Sequence, residues 1–316
     1  MPSTVPGSGS EATCCAATAE RSDPLGHLCL AIDIGGTKMA AGLVDESARL
    51  SGRISVPTPT SQDPEVVWAA LRSLAEATLS SAPTAPAVCG VGCGGPMEPD
   101  GESVSPLNIG AWRRFPLRRR VAELTALPTF VDNDAKALAL AEGWTGAAQG
   151  HADYLAMVVS TGIGGGIVLD GRLLDGRSGN AGHIGHVVVE PEGRRCACGG
   201  RGCLEAEASG TAIRAVTGRP PTEAPLEVVV RTGILVGRAV ASVANLLDLS
   251  LAVVAGSVAL GYGEPFFDAA QAEIHRRCGL EFSAGTRLAP AGLGAEGPLV
   301  GAASVGWRGL SRAAPA

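Results

Sequence analysis

One imidazole and three thiols fall within eighteen residues: His186, Cys196, Cys198 and Cys203. They lie in Gly182-His183-Ile184-Gly185-His186 and Cys196-Ala197-Cys198-Gly199-Gly200-Arg201-Gly202-Cys203-Leu204-Glu205. Four soft donors of this kind complete a closed tetrahedral site for a structural zinc ion. A Cys-x-Cys pair reaches one metal from a tight turn, and the three glycines let the backbone wrap back to deliver Cys203. Read blandly, these are three buried thiols in a glycine-rich loop. Such loops are exposed, however, and free thiols there would oxidise.

A second group of residues suits phosphate. Asp33-Ile34-Gly35-Gly36-Thr37-Lys38 sets a carboxylate at a strand end beside a tight turn. Gly35 and Gly36 let a phosphate approach main-chain N–H groups, Thr37 adds a hydroxyl and Lys38 a positive charge. Asp33 is placed to orient a water bound to Mg²⁺. A structural turn explains the same residues, until Ser160-Thr161-Gly162-Ile163-Gly164-Gly165-Gly166 is set beside them. Two glycine-rich hairpins facing each other suit a triphosphate such as ATP, with Thr161, Gly162, Gly164 and Gly165 on the second side. Gly256-Ser257 is a candidate third contact. Asn133-Asp134 opens a helix after a buried strand; Asp134 reads alone as a cap, and next to two phosphate loops as a general base for a sugar hydroxyl.

These residues need an alternating scaffold. Leu28–Ile32 and Met39–Val44 read as strands around the first turn, and Tyr154–Val159 and Ile167–Gly171 around the second. Leu30–Asp45 and Leu155–Asp170 are in step at an offset of 125 residues, which predicts two related lobes. Helices are predicted over Pro64–Leu79 with Asp63 as cap, Ala135–Glu142, Pro225–Leu247, Glu264–Cys278 and Leu299–Leu310. Apolar strands are predicted at Ala87–Val91, Thr129–Val131 and Leu251–Ala255. Strands alternating with helices give an α/β fold.

Composition narrows the class. The chain has 316 residues, 46% of them apolar, and a net charge of −6. That balance argues against a non-specific nucleic-acid binder, which needs clustered cations. The basic run Arg113–Arg120 reads as a solvated helix start with snorkelling arginines. No apolar run is long enough to span a bilayer. Residues 1–26, rich in Ser, Thr, Ala, Gly and Pro, read as a disordered extension without secretory character. Nine cysteines without a disulfide framework fit a reducing, cytoplasmic compartment.

Taken together, the Asp33–Lys38 turn, Asn133-Asp134-Ala135, Ser160–Gly166, Gly182–His186 and the cysteine cluster ending in Glu205 resemble the ROK family (repressors, open reading frames, kinases), and specifically its sugar kinases. The resemblance spans about Leu28 to Leu310. It implies a two-lobed actin-like (ribonuclease H-like) ATPase fold with an interlobe cleft. The small lobe would cover 27–134 and be closed by a helix over 299–312. The large lobe would cover 135–298, with the zinc loop at 186–205. The implied reaction moves the γ-phosphate of ATP, with Mg²⁺, to the 6-hydroxyl of a hexose or an amino or N-acyl hexose, of the N-acetylmannosamine, glucose or kanosamine type.

Residue by residue, Asp134 matches the catalytic base and Asn133 its hydroxyl-binding neighbour. His186 matches a residue that ligates zinc with one ring nitrogen and faces the sugar with the other. Glu205 matches a second sugar-binding carboxylate, and Gly95 the loop that meets the sugar. Dimers or tetramers are common in the family. One departure stands out: most family kinases have Glu at the position of His183, in a Glu-x-Gly-His motif. Neutral His both donates and accepts a hydrogen bond, which suits a carbonyl substituent on the sugar. Two alternatives are a sugar-sensing protein without catalysis and a transcriptional regulator. The latter needs a DNA-binding helix-turn-helix ahead of Asp33, for which residues 1–26 lack the pattern.

Overall fold

The computed structural model describes residues 27–313; the extension expected over 1–26 lies outside them. Strands β1 (Leu28–Ile34), β2 (Lys38–Asp45) and β3 (Leu50–Pro57) form an antiparallel meander. Helix α1 (Pro64–Ser80) follows, opened by Pro64 and by the Asp63 carboxylate, which accepts from Glu65 N at 2.9 Å. Then come β4 (Val88–Cys93), α2 (Leu117–Thr125) and β5 (Thr129–Asn133). Both new strands run parallel to β1, giving the order β3-β2-β1-β4-β5. Helix α3 (Asp134–Thr145) leaves this sheet, capped by Asn133 Oδ1 accepting from Ala135 N at 3.0 Å.

The second half repeats the plan. β6 (Tyr154–Val159), β7 (Ile163–Leu169) and β8 (Arg172–Leu173) form a meander. Helices α4 (Leu204–Ala208), α5 (Gly210–Thr217) and α6 (Leu226–Leu247) lead to β9 (Leu251–Ala255). Helices α7 (Ser257–Tyr262) and α8 (Glu264–Arg277) lead to β10 (Arg287–Pro290), and α9 (Gly297–Ala313) ends the described chain. The order β10-β9-β6-β7-β8 is the first sheet's order over again. The expected offset of 125 holds through the first strand of each pair and falls to 124 in the second. Ile34 pairs with Met39, whereas Val159 pairs with Ile163, so the second turn is one residue shorter.

The period-two alternation of each first strand explains the layers. Leu30, Ile32 and Ile34 enter one core with α1, while Cys29 and Ala31 enter another with α9. In the second sheet Leu155, Met157 and Val159 pack with α6, and Tyr154 and Ala156 face α3. Cys29, Ala31 and Ala156 are small side chains on the faces that receive α9 and α3, so these two helices can approach closely. A methyl group on Gly90 of β4 would lie 1.9 Å from Ala302 O of α9. The two helices are exchanged: α3 follows the first sheet and packs on β6 and β7, and α9 follows the second and packs on β1, β4 and β5. They also pack on each other, with a methyl on Gly301 meeting the Ala137 carbonyl at 2.8 Å. This crossed pair joins the halves and sets the space between their first turns.

Candidate functional site

The two turns lie on one cleft. A cavity of about 460 Å³ is lined by Thr37 of the first turn and Thr161 of the second, with Thr211, Arg214, Ser257 and Tyr262 completing its walls. Thr58 braces the first turn, its Oγ1 donating to Gly35 O at 2.7 Å. The second turn is tied to α5: Gly210 N donates to Ser160 O at 2.7 Å and Thr211 N to Thr161 O at 3.1 Å. Lys38, at the start of β2, is exposed.

Three of the glycines expected at the phosphates also have a packing role in the fold. Gly164 and Gly165 belong to β7, not to the turn, which is Ser160-Thr161-Gly162 alone. Their missing side chains make room for neighbours: a methyl on Gly164 would lie 2.9 Å from Ala135 Cβ, and one on Gly165 2.9 Å from Ile184 Cγ2. Gly256 has φ of 102°, and a methyl there would lie 2.3 Å from Val159 O, so only glycine fits. This bend brings α7, with Ser257 and Tyr262, to the cleft wall.

Asp33, near the end of β1, and Asp134, just beyond β5, flank the end of β4. Asp33 pairs with Gly92, which pairs with Asp132. A methyl on Gly92 would lie 3.8 Å from both Asp33 Oδ1 and Asp134 Cα. Burial, and then the nearby Asp134 charge, pushes the Asp33 carboxyl up to about 7, against the pull of Lys38 and Arg53. Asp134 is exposed at its side chain, yet desolvation by its surroundings raises its carboxyl against the hydrogen bond from Ala135 N. Two adjacent carboxylates favour a shared cation or a proton.

Sugar-facing residues predicted from sequence do meet. A methyl on Gly95 would lie 3.3 Å from Asn133 Nδ2 and 3.8 Å from His183 Cε1. The rings of His183 and His186 are 6.1 Å apart. Burial, then His186 and Lys136, pushes the His183 imidazole down, so it is neutral at pH 7. Glu205 stands under the second turn. It accepts from Ile163 N, and a methyl on Gly162 would lie 3.1 Å from its Oε1. Burial raises its carboxyl against that hydrogen bond.

The metal-binding expectation has a geometric basis. One donor atom each from His186, Cys196, Cys198 and Cys203 lies within 4.8 Å of the others. Cys196 Sγ is 3.7 Å from His186 Nδ1, and Cys198 Sγ is 3.7 Å from Cys203 Sγ. A tetrahedron with metal–sulfur bonds of about 2.3 Å has edges of about 3.8 Å, so these donors fit a zinc-sized ion. The loop is anchored by Glu207, which accepts from Arg194 N at 2.6 Å and Arg231 Nη2 at 2.7 Å.

Sequence reasoning missed Asn108, Tyr262 and Glu207. Asn108 lies against the first turn: a methyl on Gly36 would strike its Cβ at 2.7 Å, and one on Gly94 would lie 3.4 Å from its Oδ1. The Tyr262 hydroxyl is buried without a partner among the described residues. The basic run is consumed by the fold. Arg114, Arg118, Arg119 and Arg120 pair with Glu98, Glu102, Glu123 and Glu65, and Arg113 donates to the carbonyls of Pro106, Ile109 and Trp112. Among the described residues no helix is long and apolar enough to cross a membrane.

Twinned mixed sheets, exchanged helices and a cleft between their first turns define a two-lobed α/β protein of the actin-like class. The chain belongs to the ROK family, whose model matches residues 29–307. It is similar to the N-acetylmannosamine kinase of Citrobacter koseri, at 39% identity over 249 residues, 74% of this chain and 84% of the relative. A crystal structure of a ROK hexokinase from Thermus thermophilus superposes with a TM-score of 0.79 at 37% identity, covering 90% of this chain and 99% of that one. A ROK family glucokinase from Streptomyces griseus, in complex with glucose and AMPPNP, gives 0.77 at 30% identity, covering 89% and 99%.

Proposed function

We propose that this chain is an ATP-dependent sugar kinase that phosphorylates the 6-hydroxyl of a hexose bearing an N-acyl or amino substituent. The observation that carries the reading is the adjacent pair Asp33 and Asp134, set between a nucleotide-sized cleft and the wall formed by Gly95, Asn133 and His183. The kinase relatives, and the glucokinase solved with glucose and a nucleotide analogue, support it. We treat 27–134 with α9 as one lobe and 135–296 as the other.

Asp134 is the proton acceptor. Desolvation by its surroundings raises its carboxyl and makes it a stronger base than an ordinary carboxylate. It takes the proton of the attacking hydroxyl as that oxygen bonds to the γ-phosphorus and ADP leaves. Asn133 and Glu205 orient sugar hydroxyls; Glu205 keeps one oxygen on Ile163 N and has the other to offer. Neutral His183 donates to an acyl carbonyl. The Thr37 and Thr161 turns hold the phosphates. Mg²⁺, when bound, neutralises charge on the transferring group, and Asp33 is the residue to hold its water shell. His186 turns Nδ1 to the cysteines, which leaves Nε2 for the sugar. Zinc held by His186, Cys196, Cys198 and Cys203 is a structural brace for that ring, and its thiolates call for a reducing compartment.

Coupled ADP release from N-acetylmannosamine, kanosamine, mannose and glucose, each with ATP and Mg²⁺, tests the reading. Preference for N-acetylmannosamine or kanosamine is expected. Release that no sugar stimulates would contradict it.

A further inference from the structure

His183 is delivered by an irregular segment that physics alone would leave loose. Residues 174–182 follow β8 without regular secondary structure, and Gly176, Gly179 and Gly182 all have positive φ. Few buried contacts and three glycines make a low-stability segment. Two fastenings hold it. At its base, Ala181 N donates to Asp175 O at 3.1 Å. The Asp175 carboxylate accepts from Lys136 Nζ at 3.0 Å and Arg308 Nη2 at 2.7 Å. Lys136 is 2% exposed and also donates to Gly179 O at 3.1 Å, which fixes the segment to the helix that Asp134 begins.

The second fastening crosses between the halves. Asn180 Nδ2 donates to Met97 O at 3.0 Å, and Asn180 Oδ1 accepts from Met97 N at 3.4 Å. One side-chain amide thus satisfies both polar groups of a single backbone residue, as a neighbouring strand would. Met97 lies two residues after Gly95, and Asn180 three residues before His183. Gly95 and His183 are the two sides of the sugar wall.

We propose that Asn180 is a positioning residue for the sugar: its amide pins the segment carrying His183 to the loop carrying Gly95, and so sets the width of the sugar wall. The proposal rests on the sugar-site reading above. Without the amide, sugar binding itself must order the segment, and affinity falls by the fraction of time the wall is assembled. The nucleotide turns at Thr37 and Thr161 lie outside the segment and keep their affinity.

Asn180→Asp is the sharpest variant, because it preserves size and the acceptor for Met97 N but sets a second acceptor against Met97 O. Asn180→Ala removes both bonds. Trypsin provides a readout that needs no catalysis, since Arg177 sits exposed in the middle of the segment. Both variants should be cut at Arg177 at least five-fold faster than the unaltered protein. Sugar KM should rise at least ten-fold, with ATP KM, kcat at saturating sugar and Tm nearly unchanged. Unaltered cleavage at Arg177, a sugar KM within three-fold, or sugar and ATP KM rising together would overturn the proposal. Should one variant not fold, the other decides by the same measurements. Asp134→Asn is the control: full activity in that variant would refute the sugar-site reading, while the Arg177 cleavage rates would still judge the clamp.

Discussion

Replacing Asp33 by Asn should make the ligand-free protein more stable, and increasingly so as pH rises. The Asp33 carboxyl ordinarily titrates at 3.8 and is pushed up to about 7 in the fold. Between those values the native state holds a proton that the unfolded chain has released, so rising pH removes stability across that window. The full rise corresponds to about 4 kcal/mol of penalty for the ionised form. At pH 5 the native carboxyl is protonated and about 1.7 kcal/mol of the penalty is already felt; by pH 8 nearly all of it is. Asn mimics the neutral acid at every pH. The stability gap between Asp33→Asn and the unaltered protein should therefore widen by about 2 to 3 kcal/mol from pH 5 to pH 8. Carboxylates remote from Asp33 titrate equally in both proteins and cancel, and loss of the Asp33 charge also relieves Asp134, which acts in the same direction. Urea unfolding followed by tryptophan fluorescence, at pH 5, 6, 7 and 8, measures the gap. A gap that does not change with pH, or one that narrows toward pH 8, would refute the argument that burial and Asp134 load this site with charge.

Other outcomes follow from the same geometry. His183→Glu should shift relative kcat/KM from N-acetylmannosamine toward glucose by roughly ten-fold, because an acyl oxygen left unpaired costs about 1–3 kcal/mol; unchanged ratios in steady-state kinetics would leave His183 no part in selection. Cys198→Ser should reduce zinc to well below one per chain by elemental analysis, and the same analysis should find one per chain in unaltered protein purified without chelator. Glu142→Ala should destabilise the fold by roughly 3 kcal/mol, since it strips acceptors from three N–H groups worth about 1 kcal/mol each. Those donors are Ala147 N at 2.7 Å, Gly292 N at 3.0 Å and Leu293 N at 3.3 Å, which tie α3 to the chain entering α9. Unchanged urea midpoints would remove Glu142 from that role.

Much of this architecture was legible because it is local. Apolar runs bounded by Gly-rich turns marked β1, β2 and β6, and Asp63 with Pro64 marked the start of α1 within a residue. The cysteine spacing was readable because a tetrahedral site constrains a short loop. What stayed hidden depends on neighbours far along the chain. Gly164 and Gly165 look like a phosphate loop until α3 is seen to fill the space above Gly164 and the Gly182–Ile184 segment the space above Gly165. The predicted start of β7 at Ile167 falls four residues late for the same reason. Strand β3, with its mostly exposed Leu50–Pro57, lacked an apolar pattern strong enough to declare it. Closure of the first lobe by the last helix was expected, whereas the packing of α3 on the second sheet left no sequence signal beyond its Ala residues. Lys136, buried against two aspartates, and Asn180, paired with a backbone 83 residues away, are ordinary polar residues on paper.

The central claim is that Asp134 takes a proton from a sugar hydroxyl during phosphoryl transfer from ATP. Asp134→Asn keeps the shape of the residue and removes its basicity, so sugar binding by calorimetry should stay within about three-fold while kcat for coupled ADP release falls by ~10²-fold or more. A variant that binds sugar and retains more than about a tenth of the original kcat would contradict the account, because a positioned base contributes ~10²–10⁴-fold.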